Sequence, residues 1–333
     1  MFTFVSRFGR VRLLQGAVAC LVAAGLLLWW LLPLGPPPPS GAVTFSTGGN
    51  NGVYQRYGTL LKDYLARDLP LVSVTLRNSE GSQQNLKRVA TGEAQFTIAT
   101  ADAVAKYQRD KMPGADRLRG CARLYDDYVQ LVTARDQRIR SVAGLKGRKV
   151  GVGQDGSGVR LLADRILSAA ALDPRTDITA VPAGIDTMPE LLEEGKLDAF
   201  FWSGGLPTAA VQNLSSRFDI SLVPLDPALV GQVHAAGGAA SRYYRAAEMP
   251  ADAYGRAQDN KAVPTIAVAN LLVTTDRISD QLVEGFTRTV IRSRDRIGEN
   301  VHPAQLVDLR TAIYTDPLPL HEGAKRYYQS VKP

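Results

Sequence analysis

The chain has 333 residues, 45% of them hydrophobic, which is enough for two domain-sized cores. Its formal net charge is +7, but setting aside Arg7, Arg10 and Arg12 of an acid-free leader leaves +4. No Lys/Arg cluster interleaved with aromatics follows, so nucleic acid is excluded as a partner.

Residues 1–12 read as a basic cytoplasmic tail. Leu13 to Leu34 is an apolar run interrupted by Gln15 and two glycines, long enough to cross a bilayer. Arginines before it and none just after place the remainder outside the cytoplasm, which predicts a transmembrane signal anchor. A cleaved signal peptide is the rival reading, weakened by the length of the run and the lack of a small-x-small site. Residues 35–41 carry four consecutive prolines, Pro36 to Pro39, a stiff linker. Cys121 is the one cysteine beyond the leader, so no disulfide within the exported part is expected.

From Ala42 onward strand and helix signals alternate, predicting an α/β architecture with largely parallel sheets. Ala42–Phe45 reads as a strand, Ser46–Tyr54 as a glycine- and hydroxyl-rich loop, and Tyr57, Leu60, Leu61, Tyr64 and Leu65 recur at helical spacing. Such a loop turns unpaired N–H groups and the positive end of a helix dipole toward an anion, although three glycines also suit a plain βα turn. Next come a strand over 71–77, the turn Ser79-Glu80-Gly81-Ser82, a helix carrying Leu86, Val89 and Ala90, and a strand over 96–99. Thr100-Ala101-Asp102 then heads another helix, and Tyr125 and Tyr128 precede a strand over 129–133.

A second series follows. It contains a strand at 149–152, the loop Gln154–Gly158, a helix through Leu161, Leu162 and Ile166, and a strand at 178–181. A helix through Met188, Leu191 and Leu192 stops at Gly195, and a strand at 199–202 opens onto Ser203-Gly204-Gly205. Helix, glycine, charged residue and apolar strand recur at 91–96 and 194–199, as expected of two lobes of like topology with a shared cleft at their strand ends. Residues 235–240 read as a loop, 265–274 as a strand crossing back between lobes, and 278–297, 306–313 and 324–331 as helices.

Chemical signatures are sparse. Gly151-Val152-Gly153-Gln154-Asp155-Gly156 matches G-x-G-x-x-G, but Asp173 and Asp177 precede the next strand rather than end it, contrary to a dinucleotide fingerprint. There is no G-x-S-x-G elbow and no H-E-x-x-H pattern, and His234, His302 and His321 lack a triad context. The pair Asp126-Asp127 reads as solvated or capping groups. No catalysis, metal or cofactor is expected.

The motifs Ser46-Thr47-Gly48-Gly49 with Gly52 and Tyr54, Gly81-Ser82 with Asn85-Leu86, Gly92-Glu93-Ala94, Gly156-Ser157-Gly158, and Asp198–Phe201 leading into Gly204-Gly205-Leu206-Pro207-Thr208 occur in one order. Together they resemble the TAXI family of TRAP-transporter solute-binding proteins over roughly residues 43–224. The resemblance implies a bilobed type II periplasmic-binding-protein fold, with lobe I at 42–133 plus about 271–333 and lobe II at about 134–270. It implies capture of a small carboxylate or amino acid, glutamate-like or an organic acid, for delivery to separate membrane permease subunits driven by an ion gradient. The ligand-binding residues expected are Thr47, Gly48, Asn51, Tyr54, Gly81, Ser82, Asp102, Tyr128, Ser157, Gly158, Trp202 and Gly205. Backbone N–H groups, Thr47, Ser82 and Ser157 would hold carboxylate oxygens while Tyr54 and Trp202 cover the apolar part. Asn50, Asn51 and Thr100-Ala101-Asp102 depart from the family pattern, which bears on the ligand more than on the fold. A sensory or adaptor protein with a signalling partner, and an enzyme on the same fold, are the alternatives.

Overall fold

Two long strands tie the molecule together. β4 (Leu118–Ala134) and β10 (Val263–Thr275) run antiparallel to each other through the middle of one mixed sheet. The structure is a computed structural model and describes residues 15–27 and 37–331. On one side of the pair lie β1 (Gly41–Ser46), β2 (Val72–Arg77) and β3 (Phe96–Thr100), in the order β2-β1-β3-β10. On the other lie β5 (Lys149–Gly151), β6 (Thr179–Val181) and β7 (Ala199–Gly204), in the order β4-β7-β5-β6. Each half therefore has three parallel strands, the first-entered one central, followed by an antiparallel crossing strand. This is the like topology that the repeated sequence pattern predicts. The short β8 (Ile220–Val223) and β9 (Tyr244–Met249) pair with β4 and β10.

The cores divide along the crossing strands. Leu124, Tyr125 and Leu272 pack with Phe45, Tyr57, Phe96 and Phe286, the last two rings stacked with centroids 3.9 Å apart. Val129, Leu131, Ile266 and Val268 pack instead with Val150, Leu162 and Phe201. Length explains why each strand serves two cores: at 17 and 13 residues, the crossing strands run through both halves, with one end of each in either core.

The helices follow the apolar spacing. Val53–Asp68 buries Tyr57, Leu61 and Leu65 along one stripe. Ser82–Thr91 ends on Gly92 in the left-handed region (φ 86°), and Gly195 (φ 68°) closes Met188–Glu193 in the same way. Asp280–Gly298 covers the first core with Phe286 and Val290.

Several expectations change. The sheet is mixed rather than largely parallel, because both crossing strands return antiparallel. Tyr125 and Tyr128 lie within β4, which begins eleven residues before Val129, since pairing with β10 holds a polar stretch extended. Residues 235–237 finish the helix Pro227–Gly237, and a 3₁₀ turn over Gly238–Tyr243 follows instead of an open loop. The C-terminal stretch at 306–313 is helical only over Leu309–Ala312.

Residues 15–27 form a helix in a unit separate from the body, which starts at Pro39. The rest of the run Leu13–Leu34, the tail 1–12 and the start of the linker lie outside the described residues. Among the described residues no helix is long and apolar enough to cross a membrane.

Candidate functional site

The C-terminal ends of the parallel strands in both halves meet around one cavity of about 70 Å³. The first half contributes Gly48, Gly49 and Tyr54 after β1, Glu80–Ser82 after β2, and Thr100 at the end of β3. The second contributes Gly153–Gln154 and Ser157–Val159 after β5, Ala183–Asp186 and Met188 after β6, and Trp202–Ser203 in β7. Asp127 of β4 closes the floor between them. Three helices of ten or more residues start at this rim, at Val53, Ser82 and Gly158, so the positive ends of their dipoles lie around the cavity.

The two sides touch. The Asn51 N–H donates to Asp186 Oδ1 at 2.9 Å, Gln83 Nε2 donates to the Ser157 carbonyl at 2.7 Å, and the Gln84 N–H donates to the Gly156 carbonyl at 3.0 Å. Gly81 passes close to the facing backbone. Its φ is 128°, and a Cβ there would stand 3.3 Å from Ser157 Cα. The cleft is closed.

Seven of the twelve expected residues line this cavity: Gly48, Tyr54, Gly81, Ser82, Ser157, Gly158 and Trp202. Tyr54 OH donates to Asn270 Oδ1 and lies 3.3 Å from Ser82 Oγ, while Ser82 Oγ accepts the Thr100 N–H at 3.2 Å. Burial pushes the Tyr54 phenol well above its ordinary range, so it is a neutral donor. Ser157 Oγ caps its helix by accepting the Arg160 N–H at 3.0 Å. Trp202 Nε1 donates to Thr208 Oγ1 at 3.1 Å, and Thr208 is held in turn by Tyr254 and Gln130, which fixes the indole wall.

The other five lie elsewhere. Thr47 is buried beneath its loop, where Oγ1 donates to Gln55 and the Arg77 carbonyl, so its hydroxyl is spent on the fold. Asn51 borders a second, larger cavity of about 620 Å³ next to the first. Asp102 is buried in a triad: Tyr244 OH donates to Asp102 Oδ2 at 2.6 Å, and Arg165 Nη1 lies 3.3 Å from the same oxygen. Tyr128 points to the opposite face of β4 from Asp127, as strand alternation requires. Gly205 is packed against Pro303, with no space for a Cβ.

Asp127, Asp186, Gln154 and Ser203 line the cavity but were not picked out from the sequence. Asp127 is 3% exposed, and its Oδ1 has no hydrogen-bond partner. Burial pushes its carboxyl up to about 7, opposed by Asn270 and aided by the nearby charges of Asp126 and Asp102. A bulge sets this up: between Asp126↔Ala269 and Arg123↔Leu271, two β4 residues oppose the single residue Asn270. Ser203 Oγ is also buried without a partner. The signal for Asp127 was alternation in phase with Tyr125 and Val129, visible only once β4 is known to run through the acidic pair.

A model of the NMT1-like family matches residues 45–331, and the chain belongs to that family. Among solved structures, a protein from Bordetella bronchiseptica RB50 is 17% identical, with TM-score 0.51 over 88% of this chain and 90% of that one. A candidate L-cystine ABC transporter protein from Listeria monocytogenes is 13% identical, with TM-score 0.51 over 80% and 98%. An ancestral arginine-binding protein bound to arginine is 14% identical, with TM-score 0.50 over 78% and 98%. At such identities the likeness is one of fold, the bilobed α/β fold of periplasmic binding proteins.

Proposed function

We propose that this member of the NMT1-like family is an extracytoplasmic solute-binding protein that captures a small carboxylate or amino acid and delivers it to separate permease subunits. The observation that carries the reading is the cavity at the strand ends of both halves, bordered by hydrogen bonds that cross between them. A cavity built that way forms by closing the halves over a solute, a hinge motion. The lobe limits are part of the proposal: 42–133 with about 271–333, and about 134–270. No reaction is assigned to the site.

In this reading the helix starts at Ser82 and Gly158 hold the ligand's carboxylate through backbone N–H groups. Tyr54 and Trp202 wall its apolar part, and Gly48 and Gly81 let the backbone approach closely. Delivery to a TRAP-type secondary transporter rests on the ordered loop motifs in the sequence. The described neighbour from Listeria is named for an ABC transporter, so the energising partner is a separate question. Anchoring by Leu13–Leu34 rests on the sequence run alone.

Thermal melts and calorimetric titrations of the full chain against amino acids and organic acids test the reading. Binding of one class, lost in Ser157→Tyr, supports it. No binding by any of them sinks it. Uptake assays with candidate permeases, with and without an ion gradient, separate transport from a sensory role.

A further inference from the structure

We propose that Asp127, with Ser203, is an ammonium-binding subsite, so that the solute carries a protonated amine besides any carboxylate. This inference rests on the solute-binding reading and narrows its ligand class. Its basis is the charge of the cavity. The lining residues include Glu80, Asp127 and Asp186, and no lysine, arginine or histidine. A simple carboxylate would enter among three acidic side chains with neutral donors but no cationic side chain to offset the repulsion.

The buried groups ask for the opposite charge. Asp127 Oδ1 is an unpartnered acceptor, and an unpaired buried carboxylate is costly unless a cation reaches it. The arginines nearby do not serve it. Arg123 binds Asp126 Oδ1 at 2.7 Å, and Arg245 binds the other oxygen of Asp126, on the opposite strand face. Ser203 lies opposite Val129, two positions along β4 from Asp127, and so on the same face. Its hydroxyl is the second unpartnered buried oxygen at the cavity. An ammonium group has three donors and no acceptor, which suits a carboxylate and a hydroxyl oxygen together.

Every charged or titratable group around Asp127 agrees. Asp126 and Asp102 add negative potential, Tyr54 and Tyr125 are neutral phenols, and Asn270 is the one amide beside it. Tyr54 OH donates to Asn270 Oδ1, which leaves the amide Nδ2, itself buried without a partner, as a neutral donor that offsets part of the burial of Asp127 but brings no positive charge. With a carboxylate at the Ser82 and Gly158 helix starts and an ammonium at Asp127, the solute is a small zwitterion.

The test pairs each of the proteinogenic L-amino acids with its deaminated acid, which keeps the carboxylate and side chain, in calorimetric titrations of the full chain. At least one amino acid is expected to bind, with its deaminated partner at least about 100-fold weaker. Asp127→Asn should remove that discrimination, and Ser203→Ala should weaken the amino acid several-fold. At pH 7 binding should also release protons to the buffer, seen as a dependence of the heat on buffer ionisation enthalpy. Deaminated acids that bind as well or better overturn the ammonium subsite and leave the solute-binding reading standing. Should neither set bind, both proposals fall. If Asp127→Asn does not fold, Ser203→Ala and the proton release decide the matter.

Discussion

Asp126 and Asp127 are consecutive in β4 and meet opposite surroundings. Asp126 is clasped by Arg123 and Arg245, whereas Asp127 Oδ1 is buried with no partner at the cleft floor. One side chain is a structural ion pair; the other is left for a ligand. The difference comes from strand alternation, which sends neighbours to opposite faces, next to a bulge in the pairing with β10.

The first prediction concerns stability. The Asp127 carboxyl is pushed up to about 7, chiefly by burial. The empty folded state therefore holds a proton that the unfolded chain has released above about pH 4. Its contribution to stability is fully present below that pH and is lost as pH rises through about 7. Asp127→Asn should thus raise the melting temperature of the ligand-free protein at pH 8, by an amount equivalent to roughly 2–4 kcal/mol. The gain should vanish toward pH 4. An Asn variant that melts lower than the parent at pH 8 would refute the burial argument.

The Asp102 triad gives a second. Asp102 heads the helix Ala101–Arg109, Arg165 lies in Gly158–Ala169, and Tyr244 begins β9, so one buried carboxylate joins three elements. Removing it strands a buried guanidinium. Asp102→Ala should cost about 3–5 kcal/mol in denaturant unfolding, while Asp102→Ala combined with Arg165→Met should recover a large part of that loss. Equal instability of single and double variants would mean the ion pair is not the source.

Much of this fold was legible in the sequence, and the chemistry of the site was less so. Strand ends and glycine turns announced the loops at Gly48, Gly81, Ser157 and Trp202, because local rules govern a βα turn. Asp127 stayed hidden because Tyr125-Asp126-Asp127-Tyr128 has the composition of a turn, and only pairing with β10 makes it strand. Thr47 and Asp102 misled for the reverse reason. Both stand beside the right loops, but their side chains turn inward to Gln55 and Tyr244, a choice fixed by residues far away in the chain or by packing. Asp186 lies in a loop without any motif, and its role comes from the facing Asn51 N–H.

Gly81 offers a third prediction, with its own control. Alanine there must adopt φ near 128° and place a Cβ 3.3 Å from Ser157 Cα. The strain, on the order of 1–3 kcal/mol, falls on the closed cleft and should weaken ligand binding by tenfold or more. Gly92→Ala carries left-handed strain too (φ 86°) but has no atom within 4 Å of the new Cβ. It should lower the melting temperature with little change in affinity. Identical binding losses in both variants would point to general destabilisation and not to the Gly81–Ser157 passage.

The contact between Asn51 and Asp186 supplies the last. The Asn51 N–H donates to Asp186 Oδ1 at 2.9 Å, and Asp186 lines both the smaller cavity and the larger one beside it. It thus stands between the bound solute and the route outward. Because Asp186 is exposed, its loss should change unfolding stability by less than about 0.5 kcal/mol. The hydrogen bond exists only when the halves meet, so its loss should act on release more than on capture. Asp186→Ala is expected to speed ligand release on the order of tenfold, with the association rate changed by less than about threefold. Stopped-flow fluorescence can follow this through Trp202, which lines the cavity, since the remaining tryptophans, Trp29 and Trp30, belong to the leader. A slower association rate with unchanged release would instead make Asp186 an attractor for the incoming solute rather than a latch.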